Sequence, residues 1–295
     1  MQNILVTGGA GFIGSNLIKS LREQYPHLQI TVLDNYFTGK PENHVAGVEY
    51  YRGHTWEADH IFRNHTFDMV FHFGEYSRIV KSFDDIDYVQ RSILAGTPII
   101  LELCRKWNAK LIYSASSSKF GNGGKDENLS PYAWCKAKMV ELIKNYGEWY
   151  GLNYEICYFF NVYGPGQIME GDYATVIGIF EKQIKSGKKC TVVEPGTQSR
   201  DFTHVQDIVN GLIKAANKNL NHEWFLRSGI NISIIDVAKQ FGDWEFIPER
   251  RGERLTSTEF DNDTGVLLDW QPEYKLEDWI QQIKQQSGAT DTTTD

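Results

Sequence analysis

Residues Asn3–Leu17 read NILVTGGAGFIGSNL. The first five form a short apolar run suited to a buried strand, and Ser15–Glu23 continues with helical periodicity. Between them Gly8, Gly11 and Gly14 recur as GxxGxxG. A strand that turns into a helix through glycines offers bare backbone N–H groups at a helix N-terminus. A pyrophosphate can approach them because no Cβ intervenes. Phe12 and Ile13 belong to the same turn, and all five residues are assigned to cofactor binding. Asp34 follows Gly14 by 20 residues, directly after the apolar run Gln29–Leu33. A carboxylate there accepts from ribose hydroxyls and repels a 2′-phosphate, so the expected dinucleotide is NAD rather than NADP. Asn35 is placed beside it.

Outward from this turn, further apolar runs at Asp68–Phe73, Lys110–Ser114 and Tyr154–Phe160 read as strands. Helical stretches at Ala95–Trp107 and Pro131–Tyr150 separate them. Continuous apolar strands joined by crossover helices imply an α/β fold, a Rossmann-type doubly wound parallel sheet. From Gly164 the alternation loosens. Residues 1–163 are therefore expected to form the nucleotide-binding domain, with a later return near 200–228. Residues 164–286 would form a smaller, mostly C-terminal substrate-binding region, and the polar residues 287–295 a disordered tail.

Composition narrows the function classes. Thirty Lys and Arg against 38 Asp and Glu among 295 residues give a net charge of −8, which repels phosphate backbones and argues against nucleic acid. The chain has no apolar run of about 20 residues, so no membrane helix is expected, and its start lacks the features of a signal peptide. Four widely separated cysteines with no CxxC pair predict neither zinc nor disulfides, and fit a cytoplasmic setting. No metal site is expected.

Tyr132 and Lys136 stand four residues apart in SPYAWCKAK, where Ser130 suits an N-cap and Pro131 the first helical position. At that spacing phenol and ammonium share one helix face. A phenol has a pKa of about 10, and a neighbouring ammonium together with an oxidised nicotinamide would favour the phenolate. Lowering that pKa by about 3 units takes roughly 4 kcal/mol, which a semi-buried site can supply. The other pair at this spacing, Tyr36 and Lys40, spans Thr38-Gly39 and abuts Pro41, so it reads as a loop. Ser114-Ala115-Ser116-Ser117-Ser118 follows the fourth of these strands, at the carboxyl edge where parallel sheets bind ligands.

Together these features resemble the extended short-chain dehydrogenase/reductase family, in its NAD-dependent sugar-nucleotide epimerase/dehydratase branch, which includes UDP-glucose 4-epimerase. The likeness runs from about Asn3 to Gln282, through TGGAGFIGSNL, DNYFTG, SPYAWCKAK, FFNVYGPGQ, GTQSRDFTHVQDI and Arg250-x-Gly252-Glu253. It implies Ser116, Tyr132 and Lys136 as the catalytic set, with Ser116 as the hydroxyl, Tyr132 as base and Lys136 on the nicotinamide ribose, and with Tyr132 and Phe73 also at the cofactor. It puts Ser116, Ser117, Tyr132, Asn161, Val193, Arg200, Arg250 and Glu253 at a nucleotide-sugar substrate, a UDP-sugar being favoured. It also implies a homodimer. Dehydratase relatives carry Asp-Glu directly after the catalytic residue, where this chain has Ser117 and Ser118. The expected reaction is therefore 4-epimerisation of a UDP-hexose or a UDP-N-acetylhexosamine, the latter suggested by the small Ser257. The alternatives are a 4,6-dehydratase, 4-reductase or decarboxylase, or a non-catalytic NAD-binding sensor or scaffold. The chain departs from the family pattern at His54 (usually Asp), Ile93 (Asn), Tyr158 (Arg) and Phe120 (Tyr). Phe73-Gly74-Glu75 replaces a small Ala-rich turn and leaves a carboxylate near the cofactor.

Overall fold

The computed structural model describes residues 2–120, 126–249 and 263–288. Seven strands form the main sheet: β1 (Asn3–Thr7), β2 (Gln29–Asp34), β3 (Glu49–Arg52), β4 (Met69–His72), β5 (Lys110–Ser116), β6 (Tyr154–Phe159) and β10 (Glu223–Leu226). They lie in the order β10-β6-β5-β4-β1-β2-β3, every pair parallel. The chain builds outward from β1 through β2 to β3, then crosses back to place β4 on the other side of β1. Strand order thus reverses between β1 and β4, and at such a reversal a crevice opens beyond the carboxyl ends of the strands.

Both faces of the sheet are covered, because alternate residues of each strand enter different cores. Leu5, Val70, Leu111, Tyr113 and Ile156 join the core under the helices Gly96–Trp107 and Pro131–Tyr150. Ile4, Val6, Val32, Phe71, Ile112 and Cys157 join the core under the helices Phe12–Gln24 and Val205–Ala216. This is the doubly wound architecture expected from the sequence. The boundaries moved modestly: the first helix starts at Phe12, and β2 extends to Asp34. The strand β3, EYYR, was not anticipated; it is a partly exposed edge without the apolar run that marks the others.

A third core gathers Phe180, Val237, Phe241 and Ile280 from the helices Val176–Lys185, Ile234–Phe241 and Leu276–Gly288. Those helices pack on β7 (Asn161–Tyr163), β8 (Cys190–Val193), β9 (Ser199–His204), β11 (Asn231–Ser233) and β12 (Trp244–Ile247), arranged as β11-β9-β7 and β12-β8. The helix ending at Gly288 takes in the first two residues of the expected tail, and 289–295 lie outside the described residues. All four cysteines are buried free thiols. Among the described residues no cluster could hold a metal, and no helix is long and apolar enough to cross a membrane.

Asp201 ties the smaller region together. Its fully buried carboxylate accepts from Arg227 Nε at 2.9 Å, from the Ser228 amide and hydroxyl at 2.9 and 2.7 Å, and from the Gly229 amide at 2.9 Å. Truncating the carboxylate leaves the partly buried Arg227 cation and three further donors without their shared partner. Asp201→Ala is therefore expected to lower the unfolding free energy by about 3–5 kcal/mol, read from urea denaturation.

Candidate active site

The glycine turn is shaped by close approach. Gly8 has φ +72°, and a Cβ there would sit 2.9 Å from the Gly74 amide and the Phe73 carbonyl. A Cβ on Gly14 would collide with the Gly8 carbonyl oxygen, and one on Gly11 would lie 3.2 Å from it. Gly11 is the N-cap of the helix Phe12–Gln24, and no side chain caps that end. Its first amides therefore face the crevice, with Phe12 and Ile13 half buried behind them. Asp34, at the end of β2, accepts from the Ala10 amide at 2.9 Å and the Tyr36 amide at 2.8 Å, one on each oxygen. Each oxygen keeps a lone pair for a ribose hydroxyl. Burial raises the Asp34 pKa above the ordinary carboxylate value, opposed by those two amides and the His44 charge. This cradle fits a dinucleotide.

Asn35 is taken up by the protein itself, donating to Tyr88 Oη at 2.7 Å, lying 3.1 Å from His54 Nδ1 and accepting from the Phe37 amide. His54, in place of the family acid, stacks on Trp56 at 3.9 Å. Phe73 is half buried over Phe159, and its amide bonds to Thr7.

Beside the cradle, Ser130 caps the helix Pro131–Tyr150 by accepting from the Ala133 amide at 3.1 Å, with Pro131 in the first turn. Tyr132 and Lys136 stand one turn apart and are only 9% and 5% exposed. Ser116 ends β5 and hydrogen-bonds the Tyr132 phenol, while its Oγ accepts from the Ser118 amide at 3.2 Å. The structure thus brings Ser116, Tyr132 and Lys136 together, with Ser117 buried next to them. Tyr36 and Lys40 form no such pair: Tyr36 has φ 59° and Lys40 is extended.

The electrostatics depart from expectation. Lys136 Nζ donates to the Ser114 carbonyl and is paired with Glu75, a side chain 2% exposed, while resting 4.2 Å from the Tyr113 ring centroid. Its charge is spent on that carboxylate and does not pull on the phenol. The Tyr132 pKa is instead pushed up to about 12, first by burial and further by Glu75; the Ser116 bond and the Arg78 charge oppose this. Arg78 was not singled out from the sequence, since nothing in its local pattern marks it. Its Nη1 donates to the Ser77 carbonyl at 3.1 Å, and its buried Nε has no partner.

Of the residues expected at the substrate, Asn161, Arg200 and Val193 lie on the two smaller sheets. Asn161 donates to the Asp201 carbonyl at 2.9 Å and pairs with Phe202 across β7 and β9. Arg200, two residues earlier on β9, is 9% exposed. Val193 ends β8, and its carbonyl accepts from Gln198 at 3.0 Å. Arg250, Glu253 and Ser257 lie outside the described residues. Tyr158 buries its ring against Phe120 and donates to Glu223 at 2.6 Å, so it contributes packing where the pattern has a cation. Ile93 is a core residue.

A model of the NAD dependent epimerase/dehydratase family matches residues 4–225. The chain is 30% identical over 299 residues to a putative UDP-glucose 4-epimerase of Methanocaldococcus jannaschii, covering 95% of this chain and 96% of that protein. It is 28% identical over 271 residues to dTDP-D-glucose 4,6-dehydratase of Dictyostelium discoideum, covering 81% of this chain and 61% of that one. The UDP-glucose 4-epimerase of Thermotoga maritima, solved with UDP-glucose, superposes with a TM-score of 0.89 at 26% identity, covering 98% and 99% of the two chains.

Proposed function

Because the chain belongs to the NAD dependent epimerase/dehydratase family, we propose that it is a sugar-nucleotide 4-epimerase acting on a UDP-hexose or UDP-N-acetylhexosamine. When bound, NAD supplies a reversible two-electron oxidant for a hydroxyl-bearing sugar carbon. The Tyr132 phenolate takes the proton of the C4 hydroxyl, and Ser116 holds that oxygen by a hydrogen bond. Lys136 and the glycine cradle orient the cofactor, while Asn161 and Arg200 hold the nucleotide diphosphate on the facing sheet. Because the sugar presents its other face before its oxidised carbon is reduced again, C4 is inverted, and Tyr132 Oη returns the proton to the C4 oxygen.

The observation that carries this reading over dehydration is the pair Ser117-Ser118. Eliminating water across neighbouring carbons needs an acid beside Ser116, and both following positions are hydroxyls. The buried acid Glu75, close by, is committed to Lys136, Thr97 and Tyr113. Purified protein with NAD is expected to interconvert UDP-glucose with UDP-galactose, or their N-acetylamino counterparts, without net NADH. A 4-keto-6-deoxy product, a pentose or accumulating NADH refutes the proposal.

A further inference from the structure

Glu75 is a buried charge at the site that the proposed chemistry leaves unused. It lies three residues beyond β4, where strand order reverses against β1, and its turn abuts the Gly8 cradle. Its Oε1 accepts from Thr97 Oγ1 at 2.5 Å and from Tyr113 Oη at 3.2 Å, and its Oε2 takes the Lys136 ammonium. The network continues inward. Thr97 Oγ1 is 3.1 Å from His72 Nε2, and His72 Nδ1 is 2.7 Å from Thr7 Oγ1, which itself accepts from the Phe73 and Gly74 amides.

Proton directions follow from counting donors. Thr97 gives its hydroxyl proton to the carboxylate, so its oxygen accepts from His72 Nε2–H. His72 Nδ1 then accepts from Thr7. A neutral ring with its proton on Nε2 satisfies every bond, in keeping with the burial that pushes the His72 pKa down to about 4. Thr97, Tyr113 and Lys136 all donate to the Glu75 carboxylate, and His72 and Thr7 extend the network to β4 and β1.

The Lys136 ammonium has three N–H groups. Glu75 and the Ser114 carbonyl take two, which leaves one donor for a ribose hydroxyl and no net charge on the pair. The two redox forms of the cofactor differ at the nicotinamide: the oxidised ring is a cation and the reduced ring is neutral. A lone ammonium repels the first and is indifferent to the second, whereas a lysine–glutamate pair removes that repulsion. We propose that Glu75 is a positioning residue that sets the redox preference of this site, holding Lys136 in place and cancelling its charge so that the pocket favours NAD+ over NADH. This rests on cofactor binding alone, not on the epimerase reading, and needs no substrate to test.

The experiment measures dissociation constants of NAD+ and NADH on cofactor-stripped protein by calorimetry. Glu75→Gln is expected to weaken NAD+ relative to NADH by at least about tenfold, since one uncompensated charge at close range in a protein interior is worth more than that. Glu75→Asp keeps the charge and should hold the ratio near the native one. Lys136→Met leaves the carboxylate uncompensated and should move the ratio the other way, toward NAD+, giving a second test if the first variant does not fold. A purely structural role for Glu75 would weaken both forms equally. That result, or a shift of the same sign in E75Q and K136M, overturns the proposal.

Discussion

Tyr132→Phe is expected to lower kcat by about 10²–10⁴-fold while leaving NAD affinity nearly unchanged. The side chain is buried, so the change removes one oxygen and keeps the packing of the ring. What is lost is the phenol that hydrogen-bonds Ser116, the group proposed to take the C4 hydroxyl proton. The sign of the pH dependence follows from the same environment. Burial and Glu75 hold the phenol up to about 12 in the cofactor-free protein. Arg78 and Ser116 pull it down, and the cationic ring of bound NAD+ adds to them. Native kcat should therefore climb with pH through the neutral range as the phenolate fraction grows, and the residual rate of the variant should be flat. A variant with near-native turnover, or one with the native pH profile, removes Tyr132 from the chemistry.

Gly14→Ala is expected to raise the NAD dissociation constant by about a hundredfold or more, the scale of a couple of lost charge-assisted hydrogen bonds. Its Cβ would strike the Gly8 carbonyl oxygen and crowd the Gly9 Cα at 2.8 Å. Both are backbone atoms of the turn that supplies the phosphate donors, so relief of the clash must move the cradle itself. Gly11→Ala is the graded control. Its Cβ would lie 3.2 Å from the same oxygen, a contact relieved by a few tenths of an ångström. It should weaken binding less, and the order of the two effects in calorimetry checks the geometry. If G14A binds NAD as the native protein does, the pyrophosphate lies elsewhere.

The glycine turn, Asp34 and the Ser130-Pro131 helix start were legible in the chain because each obeys a local constraint. A tight turn admits only glycine, a strand end presents a carboxylate at a set distance, and a cap bonds an amide three residues away. The parallel sheet was legible for a related reason: strands buried on both faces are mainly apolar, as β1, β4 and β6 are apart from a few buried polar residues. The edge strand β3 escaped notice because half of it meets solvent and no apolar run marks it.

The charge state of the site belonged to another order of information. Glu75 and Lys136 are 61 residues apart and meet only because the helix Pro131–Tyr150 lies over β5, beside the turn that follows β4. From the chain alone, Lys136 was a free ammonium expected to acidify Tyr132. Folding placed a carboxylate on it and left Arg78 as the cation bearing on the phenol. Where the glycine turn, Asp34 and the start of the Tyr132–Lys136 helix lie is a matter of short-range sterics and periodicity, and the chain carried that unaided. Which charges survive there depends on burial and on partners distant in sequence, so only the packed sheet and its helices could determine it.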